Sequence, residues 1–271
     1  MSNSKEWKKT RKIYYTDELN DDFNELDGVK KRPPLKPHYH YVHHNPFRRL
    51  LDGFLYYGFA KPILAVFCFF HGIRYKNKKN LKVLKKRGAF IYSNHVALSD
   101  VFKFQSLVFN RKVNIIGYSD TSAIPVAGLL VKAFGYLPIS MEASNLRGLR
   151  EGCEFLVKER NQHVLIYPEA HIWPYYTKIR PFKSVSFIYP AESMCPVVPA
   201  VTVFRKVFYS KKPRQTIIFG HPIFPQEELT VNENRDYLRD KCYEEMVRIA
   251  QSVDQYEYIE YIDNTQKDKQ Q

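Results

Sequence analysis

Cysteine is scarce: four residues (Cys68, Cys153, Cys195 and Cys242) lie far apart in 271, with no C-x-x-C pair among them. That excludes a disulfide-stapled secreted scaffold and a zinc ribbon, and it fits reduced thiols in a cytosolic compartment. The first 45 residues lack the apolar core of a signal peptide, so no export signal is expected. No uninterrupted apolar run approaches the roughly 20 residues of a transmembrane helix. Internal repeats are absent, which excludes a solenoid.

What the chain does have is apolar bulk and positive charge. Hydrophobic residues make up 44% of it, enough for a substantial core, and the length suits one α/β domain with appendages. The net charge is +14, although residues 225–271 carry twelve acids against six bases. A basic body with an acidic tail points to an anionic partner, either nucleic acid or an acidic membrane surface. Neither an aromatic–basic recognition motif nor zinc-finger spacing is present, which argues against nucleic acid.

The pattern divides the chain into four stretches. Residues 1–46 read as an arm of mixed charge. It contains a proline loop and the histidines His38, His40, His43 and His44, whose spacing matches no metal site. Residues 47–72 carry two apolar stripes, Phe47, Leu50, Leu51, Phe54 and Leu55, then Ile63, Val66, Phe67 and Phe70. With Pro62 suited to a helix's first turn, these predict an N-terminal amphipathic helical pair. One straight helix over Phe54–Phe70 would span only roughly 25 Å, so a pair dipping into one leaflet fits better than a crossing. Next come eight bases without an acid, Arg74, Lys76, Lys78, Lys79, Lys82, Lys85, Lys86 and Arg87. Beside an interfacial segment they favour an anionic membrane surface. The expected location is therefore the cytoplasmic face of a membrane, peripheral or embedded in one leaflet.

Residues 73–225 have α/β texture. Buried strands are expected at 89–92, 113–118, 163–167, 197–203 and 216–219, with helices at 98–109, 124–134 and 146–157. In residues 226–271 a capping box, Thr230 to Glu233, precedes a helix presenting Leu238, Cys242, Met246, Ile249 and Ala250 on one face. Past Ile262 the chain is polar and no element is expected.

Four short constellations can carry chemistry. Asn94-His95 with Asp100 follows a strand and precedes a helix, so the carboxylate can take the imidazole Nδ1–H and leave Nε2 as a base. Tyr167-Pro168-Glu169 ends the next strand but one in the same way. Arg180, Lys183 and, nearby, Lys178 can meet an anion. Cys195-Pro196-Val197-Val198-Pro199 is an apolar strand bracketed by prolines.

In their order these blocks resemble the glycerolipid acyltransferases typified by 1-acylglycerol-3-phosphate acyltransferase. That family shows N-H-x4-D, G-x-x-F-I-x-R, F-P-E-G-T-R-S and V-P-V-x-P. Asn94–Asp100 matches the first block, Gly135 and Ile139 part of the second, Tyr167-Pro168-Glu169 the opening of the third, and Pro196–Pro199 the last. The resemblance covers about residues 47–225. It implies an α/β fold with a mixed central sheet flanked by helices. It also implies transfer of an acyl group from a thioester of CoA or acyl carrier protein to a lyso-glycerolipid hydroxyl, with no cofactor or metal. His95 would be the general base, Asp100 its orienting partner, and Glu169 a residue lining the acceptor site. A hydrolase using the same His–Asp pair is the main rival.

Two departures matter. The family arginines that hold acceptor phosphate fall on Met141 and Ile172, and neither side chain replaces a guanidinium fork. Either Lys178, Arg180 and Lys183 rebuild that site, or the acceptor lacks a phosphomonoester. Trp173, Tyr175 and Tyr176 would then face the acceptor or join the core, and His171 is a further titrating candidate.

Overall fold

The computed structural model describes residues 10–23, 35, 37–105, 111–118, 135–140 and 142–265. The expected helix at 124–134 and the position of Met141 lie outside them, as do most of the proline loop and the end of the expected helix at 98–109.

Seven strands build the main sheet: β2 (Arg74–Lys76), β3 (Ala89–Ser93), β4 (Val113–Tyr118), β5 (Tyr136–Ile139), β6 (His163–Ile166), β7 (Val197–Val207) and β8 (Ser210–Phe219). Their order is β2-β8-β7-β3-β6-β4-β5. All neighbours are parallel except the β7–β8 hairpin, so the sheet is mixed. β3 is wholly buried at the centre, and its side chains alternate between two cores. Phe90 and Tyr92 join one core with α3 (Ala143–Lys158) and α5 (Val231–Gln251). Ala89 and Ile91 join the other with Leu84, Phe104 and Phe219. The capping box starts α5 as expected, with Thr230 accepting from Glu233 N, and all five predicted core positions of that helix are buried.

Two glycines sit where a side chain cannot. Gly135 opens β5 at φ +83°, and its carbonyl accepts from Ile115 N at 2.8 Å. At Gly88, before β3, a Cβ would lie 2.9 Å from Val157 Cα and closer still to the carbonyls of Val157 and Gln162.

The expected helical pair is instead one continuous helix, α1, running Pro46–Phe70. Asn45 caps it, accepting from Phe47 N at 2.9 Å. Pro62 does not start a second helix. A π-helical turn over Leu55–Ala60 precedes it, with Lys61 N bonded to Tyr56 O. A proline ring cannot donate to the carbonyl four residues back, and local widening removes that clash without breaking the helix. The helix presents Tyr56, Ala60, Leu64 and Cys68 inward at intervals of four. Most of the two predicted apolar stripes faces outward: Phe47 is 82% exposed, Leu50 74%, Ile63 61% and Phe70 73%.

One segment of the arm pairs with one of the tail. β1 (Lys12–Tyr15) pairs in parallel with β9 (Glu260–Asp263), where the sequence predicted no element. The helix expected from Leu98 is only the short α2 (Asp100–Lys103) among the described residues.

Candidate functional site

β3 and β6 are parallel neighbours, so the turns after their carboxyl ends lie side by side, where an open α/β sheet presents groups to a ligand. The first turn carries His95. Its Nδ1 lies 3.0 Å from Asp100 Oδ2. A carboxylate only accepts, so Nδ1 bears a proton, which makes Nε2 the acceptor nitrogen of a neutral ring. Asp100 Oδ2 also accepts from Val96 N at 2.7 Å and Ala97 N at 2.8 Å, which folds the turn around the carboxylate. Asn94 locks the turn to β7, donating to Thr202 O at 3.1 Å and accepting from Thr202 N at 2.8 Å.

The sequence reading missed the third member of this group. Lys103 is fully buried, and its ammonium pairs with Asp100 Oδ1. Burial pushes the Asp100 carboxyl up, but Lys103 and His95 together outweigh it and hold the group below the ordinary carboxylate range. Burial pulls the Lys103 ammonium down, against the attraction of Asp100. The available signal was an acid and a lysine three apart on a helix, a spacing more often found on solvated faces. The imidazole stacks on Tyr167, with rings 4.2 Å apart and 18° between planes, and it remains partly exposed.

The second turn holds the first from below. Glu169 is buried, not open to an acceptor as expected. Its Oε2 accepts from His95 N at 3.3 Å and its Oε1 from Arg180 N at 3.2 Å. Desolvation raises its carboxyl above the usual range despite Arg180, which lies 3.4 Å away. Trp173 N donates to His95 O and Tyr175 N to Val96 O, both at 3.1 Å, so this loop forms the floor of the histidine turn. Pro168 ends β6 and begins the loop. Two side-chain-bearing residues in it, Ala170 and Tyr175, take φ of +62° and +60°, conformations that only surrounding structure enforces.

Three expected acceptor contacts are redirected. Arg180 is fully buried. Its guanidinium donates to Glu169 O, Glu18 O and His171 O, and lies 4.8 Å from the Trp173 ring centre. Trp173 is also fully buried, because Tyr15, Phe23, Tyr176 and Tyr261 surround its ring and its Nε1 donates to Asp21 O at 2.7 Å. His171 Nδ1 faces Asp22 at 3.6 Å. Glu18, Asp21, Asp22 and Phe23 among these partners come from the arm: residues 16–23, with four acids, strap across the loop. Lys183 is exposed beside the strap and helps hold the Asp17 carboxyl low, after the Asn20 and Leu19 hydrogen bonds. Lys178 is exposed. Gly135 serves the strand junction described above rather than this pocket.

α1 runs past the same region, with Phe67 and Phe102 rings 6.0 Å apart. A half-open imidazole, fixed at Nδ1 by a buried, ionised carboxylate, can accept at Nε2 the proton of a hydroxyl brought there.

Residues 72–203 match the family model described as Acyltransferase. Among solved structures, the crystal structure of the 1-acyl-sn-glycerophosphate (LPA) acyltransferase PlsC from Thermotoga maritima is similar. It shows 14% identity over 76% of this chain and 96% of that one, with a TM-score of 0.49. No curated protein matches. The matched span, just under half of the chain, holds His95, Asp100, Lys103, Glu169 and Arg180, and in that span the chain is similar to the acyltransferase family.

Proposed function

We propose that the protein transfers an acyl group from a thioester of CoA or acyl carrier protein to a hydroxyl of a lyso-glycerolipid at a membrane surface. The observation that carries this reading is the His95–Asp100–Lys103 chain at the carboxyl edge of β3. As the acceptor oxygen attacks the thioester carbonyl, its proton passes to His95 Nε2, because a neutral imidazole is too weak a base to ionise an alcohol beforehand. Asp100 stabilises the imidazolium that forms. The tetrahedral intermediate collapses, the C–S bond breaks, and the departing thiolate takes the proton back. General base catalysis of this kind contributes about 10²–10⁴ in rate, with positioning supplying much of the rest.

The outward apolar face of α1 beside the site supports delivery of a lipid acceptor from one leaflet of an anionic cytoplasmic membrane surface. We place a lipid without a free phosphomonoester as the acceptor. Ile172 stands at one family arginine position, the Arg180 Nη1 and Nη2 groups donate to carbonyls within the protein, and the acidic strap covers the same loop.

The test is transfer of labelled acyl groups from acyl-CoA and acyl carrier protein to a panel of lyso-lipids and monoacylglycerol. His95→Ala should lower turnover at least about 10²-fold without changing the melting temperature by more than a few degrees. Near-normal turnover in that variant ends the mechanism, and free fatty acid as sole product turns it into a hydrolase.

A further inference from the structure

The β7–β8 hairpin turns through Phe208 and Tyr209, between the paired residues Val207 and Ser210. Two-residue hairpin loops favour Asn, Asp and Gly, whose small or locally bonding side chains suit the turn. Two large aromatics there oppose that preference; Phe208 is 100% exposed and gains no burial, while Tyr209, 60% exposed, is only partly covered. A local rule broken by a fully exposed ring such as that of Phe208 points to a partner.

The charges around the turn are of one sign. A cleft of about 430 Å³ beside it is lined by Arg11, Lys206 and Lys211 together with Tyr209 and Tyr256, and no acid lines it. Lys206 Nζ lies 5.5 Å from the Tyr256 ring centre, and the Arg214 guanidinium 5.7 Å from that of Tyr209. The hairpin is also tied to the end of α1. Arg205 donates to Gly72 O at 2.6 Å and Arg214 to His71 O at 2.9 Å, just past the exposed Phe69 and Phe70. Two hydrogen bonds therefore join the hairpin to the apolar helix end.

We propose that the β7–β8 turn is a second lipid contact, in which Phe208 and Tyr209 enter the interface of an anionic phospholipid bilayer while Arg11, Lys206 and Lys211 receive lipid phosphate. Rings of this type settle at the headgroup level, and bases beside them add attraction to acidic lipid. With two anchors, α1 and the hairpin, the protein has a defined orientation rather than rotating about a single helix. This contact is separate from acyl transfer: an inactive His95→Ala protein carries the same hairpin and inserts equally well.

All four native cysteines are buried, so Phe208→Cys places one reactive thiol at the tip of the full-length chain for a polarity-sensitive fluorophore. On equimolar phosphatidylcholine–phosphatidylglycerol vesicles the label's emission should shift to the blue, and less so on phosphatidylcholine alone. Lys206→Glu with Lys211→Glu, both exposed or half-exposed, should lower partitioning onto the anionic vesicles at least about tenfold. A label that stays in water while the protein sediments with the anionic vesicles overturns the proposal, and so does failure to sediment at all. The same holds if inorganic phosphate alone reproduces the shift, or if the shift appears without vesicles as protein concentration rises, which would mark a second copy as the occupant.

Discussion

Lys103→Met removes a buried cation and leaves its buried carboxylate behind. Asp100 and Lys103 side chains are 1% and 0% exposed, so water does not replace the lost partner. Breaking such a pair from one side costs about 3–5 kcal/mol. Asp100 Oδ2 keeps three donors, His95 Nδ1, Val96 N and Ala97 N, which places the expected loss near the lower end of that range. At about 2–4 °C per kcal/mol for a domain of this size, the melting temperature should fall by roughly 6–12 °C. The pH dependence follows from the direction of the Asp100 shift. In the native protein the folded carboxyl lies below its ordinary value of 3.8, so its contribution is present above that pH and fades only as pH falls through the folded value. Without Lys103, burial is opposed only by His95 and the Val96 and Ala97 N–H groups, so the folded value rises and a neutral carboxyl is tolerated better than in the native protein. The deficit of the variant should therefore be largest near neutrality and shrink as pH falls. Withdrawing a cation makes protons harder to remove from the His95–Asp100 pair, so the acid limb of the kcat/KM profile should move to higher pH. Thermal unfolding at pH 7 and pH 5, with transfer rates across pH, checks both. A variant that melts within about 1 °C of the native protein and keeps its profile would refute Lys103 as the counter-charge.

Other substitutions probe the floor and the frame. Glu169→Gln leaves one of two backbone N–H groups, of His95 or Arg180, facing an amide NH₂ and strips the buried Arg180 of its counter-charge. We expect about 2–4 kcal/mol lost in denaturant titration, with turnover falling more than acceptor KM rises. Gly88→Ala forces a methyl against the backbone of Val157 and Gln162, and should cost about 1–3 kcal/mol in the same titration while activity per folded molecule stays level.

Much of the frame was legible because buried parallel strands are short, apolar and bounded. The runs beginning at Ala89, Val113, His163 and Val197 all start strands where read. The meeting of His95 with Asp100 was legible too, because a five-residue turn leaves those side chains little choice. What escaped depended on distant chain. Nothing local to Trp173 announces that Asp21 and Tyr261 will enclose it, and the acids of residues 16–23 look like a solvated arm until the loop they cover is known. Arg180 was read as an open anion site for the same reason: its carbonyl partners are set by tertiary placement, not by spacing. Pro62 misled by a local rule. It suits a helix start, and only the π turn before it lets one helix continue.

The pairing of β1 with β9 sets an order of events in synthesis. Lys12 lies opposite Glu260 and Tyr15 opposite Asp263, so the earlier strand waits for one made much later. Until Tyr261 emerges, the Trp173 indole lacks the ring that stacks on it at 5.0 Å and 4°. A nascent or clipped chain therefore holds its histidine turn over an uncovered aromatic floor, the kind of exposed apolar surface that aggregates or recruits chaperones. Closure of this small two-stranded clasp registers that translation has reached Asp263.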